Sequence, residues 1–192
     1  KSFVAFFRRL GILPVYSEKK EVPETLFSAP KEAVVGFLQA LFTSDGTLRN
    51  SKKSASDWIA LTSKSIKLLK QVQILLLHLG IKSRIFDRSR AARDNLFHYI
   101  NNKGEHKYYA SDGILYEIGI FGMHVEAFKA KIGFITREKQ NKLDAFRYKK
   151  RRKTYFTDDV VSVTFLGEKK VYDLTEPVTH SFLANGIVVH NC

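Results

Sequence analysis

Cysteine is almost missing from this sequence: there is one among 192 residues, and it is the last, Cys192. No internal disulfide can form, and nothing asks for an oxidising compartment. Long apolar runs are missing too. No stretch approaches the roughly 20 apolar residues that a membrane helix needs, and the opening KSFVAFFRRLG is too short and too basic within its apolar part for a secretory signal. The expectation is an intracellular, cytoplasmic protein with no membrane partner. Acidic residues are scarce, 19 against 32 Lys and Arg, for a net charge of +13. The scarcity is local: 30 Lys and Arg face 14 Asp and Glu up to Lys153, and 2 face 5 from Thr154 onward. This break marks a boundary, and Lys149-Lys150-Arg151-Arg152-Lys153 reads as a linker with no assigned chemistry. A body this basic suits a polyanion, DNA or RNA, with a plain solvated basic surface as the alternative. At 44% hydrophobic residues the chain has enough to bury a core, in one large domain or two small ones.

What is present begins with an amphipathic helix end, Phe3, Phe6, Phe7 and Leu10, closed by Gly11. The segment FVAFFRRLGI (Phe3 to Ile12) recurs as VEAFKAKIGF (Val125 to Phe134) at a constant offset. Each copy leads into a Lys-bearing segment, one holding Lys20 and the other Lys139 and Lys142. What precedes the second copy has no counterpart before the first. The expectation is a chain that begins near the end of a repeated unit. Ser28-Ala29-Pro30 signals a helix start, and Val34, Val35, Phe37, Leu38, Leu41 and Phe42 its apolar residues, with Asp45-Gly46 closing it. Gly36 and Ala40 form a small ridge on which a second helix packs closely. Asp45 is unfavourable at the negative end of a helix unless a cation binds there. A hairpin is predicted over Thr47 to Thr62, then a helix capped by Ser63 with Ile66, Leu69, Val72, Leu75, Leu76 and Leu79 on one face and Gly80 at its end. Strands follow at Ile81 to Arg88 and Ile114 to Ile120, around a basic, aromatic stretch turning at Asn102-Lys103-Gly104, and a helix runs to Ile132.

The segment FLQALFTSDGTL resembles the LAGLIDADG motif of homing endonucleases, matching at Leu38, Leu41, Asp45 and Gly46, with Ala40 for the motif's glycine and Thr43 for its first Asp. The resemblance implies an αββαββα half-domain whose motif helix pairs with that of a second half. It also implies strands forming a saddle on double-stranded DNA, and an acid at each helix end holding a divalent metal, Mg2+. Asp45 is the position this assigns to catalysis and metal. Lys82, Arg84 and Arg88 alternate as a concave strand face would, with Lys20, Lys139 and Lys142 as further DNA candidates; each taken alone reads first as a solvated charge rather than a base reader.

The last residues, VYDLTEPVTHSFLANG followed by IVVHNC, resemble the two C-terminal motifs of inteins, the self-splicing protein elements. The resemblance implies a β-rich splicing (Hint) domain built jointly with an N-terminal piece. TYFTDDVVSVTFL and Val171 to Leu174 are expected to be its strands, with a turn at Ala184-Asn185-Gly186. The Asn191 side-chain nitrogen attacks its own carbonyl and cuts the Asn191–Cys192 bond, with His190 or His180 as polariser or proton donor. Cys192 offers the thiol that accepts an acyl group. Asp173 is the motif acid implied beside that thiol. Splicing needs no cofactor; its partners are a complementary N-terminal intein fragment and the flanking host-protein segments.

Together these give an α+β chain with three parts: 1–33, the remnant of a first endonuclease half plus linker; 34–150, a LAGLIDADG-like half-domain; and 151–192, the C-terminal splicing region. The first splicing nucleophile and a second LAGLIDADG helix are not found. The chain is then the C-terminal fragment of an intein, acting in trans or as part of a longer chain, with a nuclease incomplete by itself. The alternative is a site-specific DNA endonuclease or DNA-binding module whose splicing tail is secondary.

Overall fold

A computed structural model describes residues 2–9, 11–12, 14–50, 57–147, 159–172, 174–184 and 187–190. The chain divides into two compact units, Lys1–Arg151 and Arg152–Cys192.

In the first unit, helix α1 (Ser2–Arg9) precedes the motif helix α2 (Lys31–Asp45), strands β1 (Gly46–Arg49) and β2 (Trp58–Ser63), and helix α3 (Ile66–His78). Strand β3 (Ser83–Asp87) leads to a hairpin, β4 (Arg93–Ile100) with β5 (His106–Ser111), before β6 (Tyr116–Ile120), α4 (Met123–Lys131) and α5 (Arg137–Asp144). Four strands form one antiparallel sheet in the order β1-β2-β6-β3. Side chains alternate between the faces of a strand, so the register that aligns Leu61, Ile118 and Ile85 also aligns Ile59 with Ile120 on the same face. Against that face pack Leu38 and Phe42 of α2, Leu69, Val72, Leu75 and Leu76 of α3, and Phe128 of α4. The Phe42 and Phe128 rings meet edge to face at 5.0 Å. The core therefore lies on one side of the sheet, and the other side carries the charged residues described below.

Two helix starts differ from the sequence reading. The cap of α3 is Ser65, not Ser63: Leu68 N–H donates to the Ser65 hydroxyl at 3.1 Å, while the Ser63 hydroxyl accepts Ser65 N–H at 3.0 Å. Ser65 is fixed there because its hydroxyl also donates to the Lys20 carbonyl at 2.6 Å. The residue before α2 is Pro30, and Ser28 donates instead to the Thr25 carbonyl. Residues ahead of α2 belong to the packed body: Val22 is buried, and its N–H donates to Gln71 Oε1 at 2.8 Å.

The β4–β5 hairpin is an addition to the expected αββαββα order, inserted between the last two sheet strands. Its turn falls where the sequence signals one, with Asn101 Oδ1 accepting the N–H groups of Lys103 and Glu105 and Gly104 at φ +77°. Gly113, at φ +76°, returns the chain to β6; a Cβ there would lie 1.9 Å from the Arg90 carbonyl oxygen, so only glycine fits.

In the second unit, β7 (Ser181–Ala184) and β8 (Ile187–His190) pair antiparallel; the turn expected at Ala184-Asn185-Gly186 rests on Asn185 and Gly186, which lie outside the described residues. The strands expected over Thr154 to Leu166 and Val171 to Leu174 are not formed among the described residues, 159–172 and 174. Val161, Val163 and Phe165 are about nine-tenths exposed there. A strand pairs its backbone only with a neighbouring strand, and the described residues provide no neighbour for these.

Candidate functional site

Helix α2 sets the position of Asp45. Its buried stripe, Val34, Leu38 and Phe42, anchors the helix on the core, and Asp45 is its last residue, exposed. The orphan carbonyls at that end are met by a cation: Lys139 Nζ donates to the carbonyl of Thr43 at 2.6 Å and of Gly46 at 2.8 Å. The Thr43 hydroxyl donates to the Gln39 carbonyl and accepts Ile135 N–H, tying the segment before α5 to the same place. Lys139, a candidate DNA contact, is thus built into the helix end on both sides of Asp45. No group of three or more His, Cys, Asp or Glu that would hold a metal occurs among the described residues. A single exposed carboxylate is not a complete divalent-metal site, so this chain's described residues fit such an ion only as half of one.

The outer face of the sheet follows from the same alternation that builds the core. It carries Thr47 and Arg49 of β1, Ala60 and Thr62 of β2, Glu117 and Gly119 of β6, and Arg84 and Phe86 of β3, with Lys82 and Arg88 in the same phase beyond the ends of β3. Arg84 is exposed and makes no ion pair among the described residues. Arg88 is different: its Nε and Nη2 donate to Glu117 Oε1 at 3.3 and 2.9 Å, and its guanidinium lies 4.8 Å from the centre of the Phe86 ring. Arg49 Nη2 reaches the other oxygen of Glu117 at 3.6 Å. The structure thus collects Lys82, Arg84 and Arg88 on one face. Lys20 is exposed away from any strand, and Lys142 is held to Glu138 one helical turn back at 2.6 Å. Sequence reasoning missed Arg49 and Glu117. The signal was a lone acid in an otherwise apolar strand, YEIGI, in phase with Arg84 and Arg88 once the register is known.

In the second unit, His180 and His190 come together with ring centroids 6.3 Å apart. The register pairing Ser181 with His190 puts the residue before β7 beside the last residue of β8. His180 has φ +50°, an uncommon value outside glycine. A carboxylate holds the turn that sets it: the Thr179 hydroxyl donates to Glu176 Oε2 at 2.6 Å and Val178 N–H to Oε1 at 3.1 Å. These bonds, the Thr179 hydroxyl first and then the Thr179, Val178 and His180 backbone N–H groups, hold the Glu176 carboxyl below its ordinary range. Asp173, Asn191 and Cys192 lie outside the described residues.

The model of the LAGLIDADG-like domain matches residues 32–133. The chain belongs to this LAGLIDADG-like family. It is 30% identical over 181 residues to the ribonucleoside-diphosphate reductase NrdEB subunit alpha of Bacillus subtilis (strain 168), a match covering 91% of this chain and 16% of that protein. It is 30% identical over 189 residues to a DNA polymerase of Thermococcus hydrothermalis, covering 91% of this chain and 10% of the polymerase. It is also 24% identical over 243 residues to the replicative DNA helicase DnaB of Synechocystis, covering 97% of this chain and 28% of the helicase. The chain spans well under a third of the length of each. Three enzymes of different chemistry thus share one stretch with nearly all of this chain, the distribution of an element carried inside host proteins. With the family match, this is an intein carrying a LAGLIDADG-type homing-endonuclease region.

Proposed function

We propose that the chain is the C-terminal part of its intein, and that residues 151–192 carry out the last steps of protein splicing with a complementary N-terminal piece. The observation that carries this is the approach of His180 to His190 at the foot of a hairpin whose next residues are Asn191 and Cys192. The Cys192 thiolate takes the acyl group of an upstream thioester, forming a new thioester and releasing the first thiol. The Asn191 amide nitrogen then bonds to its own carbonyl carbon while the Asn191–Cys192 C–N bond breaks. One proton leaves the amide and one arrives on the departing amine, so no water is consumed. A neutral amide is a poor nucleophile, and His190 and His180 supply the polarisation and the proton. Asp173 belongs beside the Cys192 thiol. The remaining strand-forming segments, exposed over 159–172, complete the Hint domain by pairing with the N-terminal piece.

The test is a reporter fused after Cys192, with the N-terminal piece added: ligated product and free intein are expected by mass spectrometry, and Asn191→Ala should stop release. Absence of Asn191-dependent release with a cognate piece rejects the reading.

The outer sheet face supports a second role, duplex DNA binding, with Lys82, Arg84 and Arg88 toward the phosphates and base edges. Asp45 is the metal acid of one half-site, where Mg2+ would sit at the foot of α2 and polarise the scissile phosphate. A second half supplies the other acid, its motif helix pairing along Gly36 and Ala40, both exposed. The isolated chain should therefore bind DNA in a salt-sensitive way and cut poorly; Asp45- and Mg2+-dependent cutting by this chain alone would contradict that.

A further inference from the structure

Glu117 is out of place. It is a carboxylate on a sheet face whose other charged residues are cations, its residue is only 5% exposed, and it stands in the inner strand β6, where phosphate would be repelled. Burying a charge is costly unless it is paired, and Glu117 is paired twice, one oxygen to each of two arginines that arrive from opposite edges of the sheet. Arg88 comes from beyond β3 and Arg49 from β1. The way Arg88 is held matters. Its Nε and Nη2 face the carboxylate side-on, which leaves the Nη1–Nη2 edge, the edge that matches the O6 and N7 acceptors of guanine, unspent. Both arginine side chains remain about half exposed, 46% for Arg49 and 49% for Arg88. The floor beside them is fixed by aromatic packing: Trp58 and Phe121 stack at 6.0 Å, and Phe86 meets Phe121 edge-on. Phe121 lies over Gly119, where a Cβ would come within 2.5 Å of its ring. Arg88 is therefore anchored at one edge and open at the other, and Arg49 is held beside it by a single ion pair through Nη2.

We propose that Glu117 is a specificity-determining positioning residue of the DNA face, holding Arg49 and Arg88 as a pre-aligned pair that reads base edges rather than phosphates. This rests on the reading of that face as a DNA surface. The acid contributes in two ways. It removes rotamer freedom from two long side chains before DNA arrives, so less is lost on contact. It also makes the face less attractive to an unspecific phosphate, which is discrimination by repulsion. Arg84, on the same face without such a partner, is left to the phosphates.

The experiment uses the full chain. A random-sequence duplex library is selected on the wild-type protein, and affinity is then measured at fixed salt for the enriched duplex and a scrambled one. Glu117→Gln should bind the scrambled duplex as tightly as wild type or more so, and lose affinity for the enriched duplex. The ratio between the two should fall by about tenfold or more, the scale of one bidentate base contact. Arg88→Lys and Arg49→Lys, which keep charge and lose the planar fork, should lower the same ratio by weakening the enriched duplex more than the scrambled one; they carry the test if Glu117→Gln does not fold. An unchanged ratio in these variants, an equal loss on both duplexes, or a wild-type protein that enriches no sequence overturns the proposal. A wild-type protein that binds no duplex at all overturns the DNA reading of the face itself, and the proposal with it.

Discussion

At the scale of residues, the two proposed chemistries depend on groups that are ordinary alone and acquire a role from what holds them. His180 occupies a left-handed backbone conformation because the loop before it is pinned to Glu176. A carboxylate whose folded value is depressed contributes order above its unfolded value and loses that contribution as pH falls through the depressed one. The Thr179 and His180 amide signals in NMR should therefore titrate with a midpoint below the ordinary glutamate range. Glu176→Gln should abolish that transition; a midpoint at or above the ordinary range contradicts the assignment. Lys139 is the second such group. Substituting Lys139→Met removes the cation from two carbonyls at the end of α2 and should destabilise the fold by about 1 kcal/mol, the scale of a helix-end charge interaction, read by chemical denaturation. A neutral result would mean that water replaces the ammonium without cost.

Among elements, α2 carries the first unit. Leu38 is fully buried in the core, and Leu38→Ala should cost about 2–5 kcal/mol in denaturant unfolding, because the lost transfer energy is joined by a cavity. Gly36, two residues before Leu38 and on the exposed side, has open space where a Cβ would go. Gly36→Ala should raise the stability of this chain by up to about 1 kcal/mol through helix propensity, and lowered stability would show that the ridge is already covered. Much of this element was legible in the sequence, because period and burial agree: the residues that recur along α2 and α3 are those that meet the sheet. The hairpin β4–β5 was not, since its alternation of basic and aromatic residues leaves no apolar face to betray a strand. The Ser65 cap was hidden by a competing serine two residues earlier, and only the distant Lys20 carbonyl decides between them. The strands expected over Thr154 to Leu166 and Val171 to Leu174 are not formed among the described residues for the opposite reason. Their alternation is clear, but alternation makes a strand only where another strand is present to receive its backbone. Glu117 was invisible because its partners are joined by register, not by sequence.

For the whole molecule, no helix among the described residues is long and apolar enough to cross a membrane, and the net charge of +13 is concentrated before Thr154. DNA affinity on the proposed reading should fall steeply with salt, and Arg84→Ala should reduce the slope of log K against log salt by about one without altering sequence preference. A loss of preference would move Arg84 among the base readers. Splicing should tolerate removal of the DNA-facing body: joining Lys19 to Arg151 through a short flexible linker should keep splicing within about tenfold, roughly 1.4 kcal/mol in barrier. The direct test of the central claim is the mass of the intein released from a fusion carried through Cys192. The account predicts a species ending at Asn191 and lighter by one water than the hydrolysed peptide, the mark of a succinimide, absent in Asn191→Ala. Release with the mass of simple hydrolysis, or release that persists in Asn191→Ala, would contradict it.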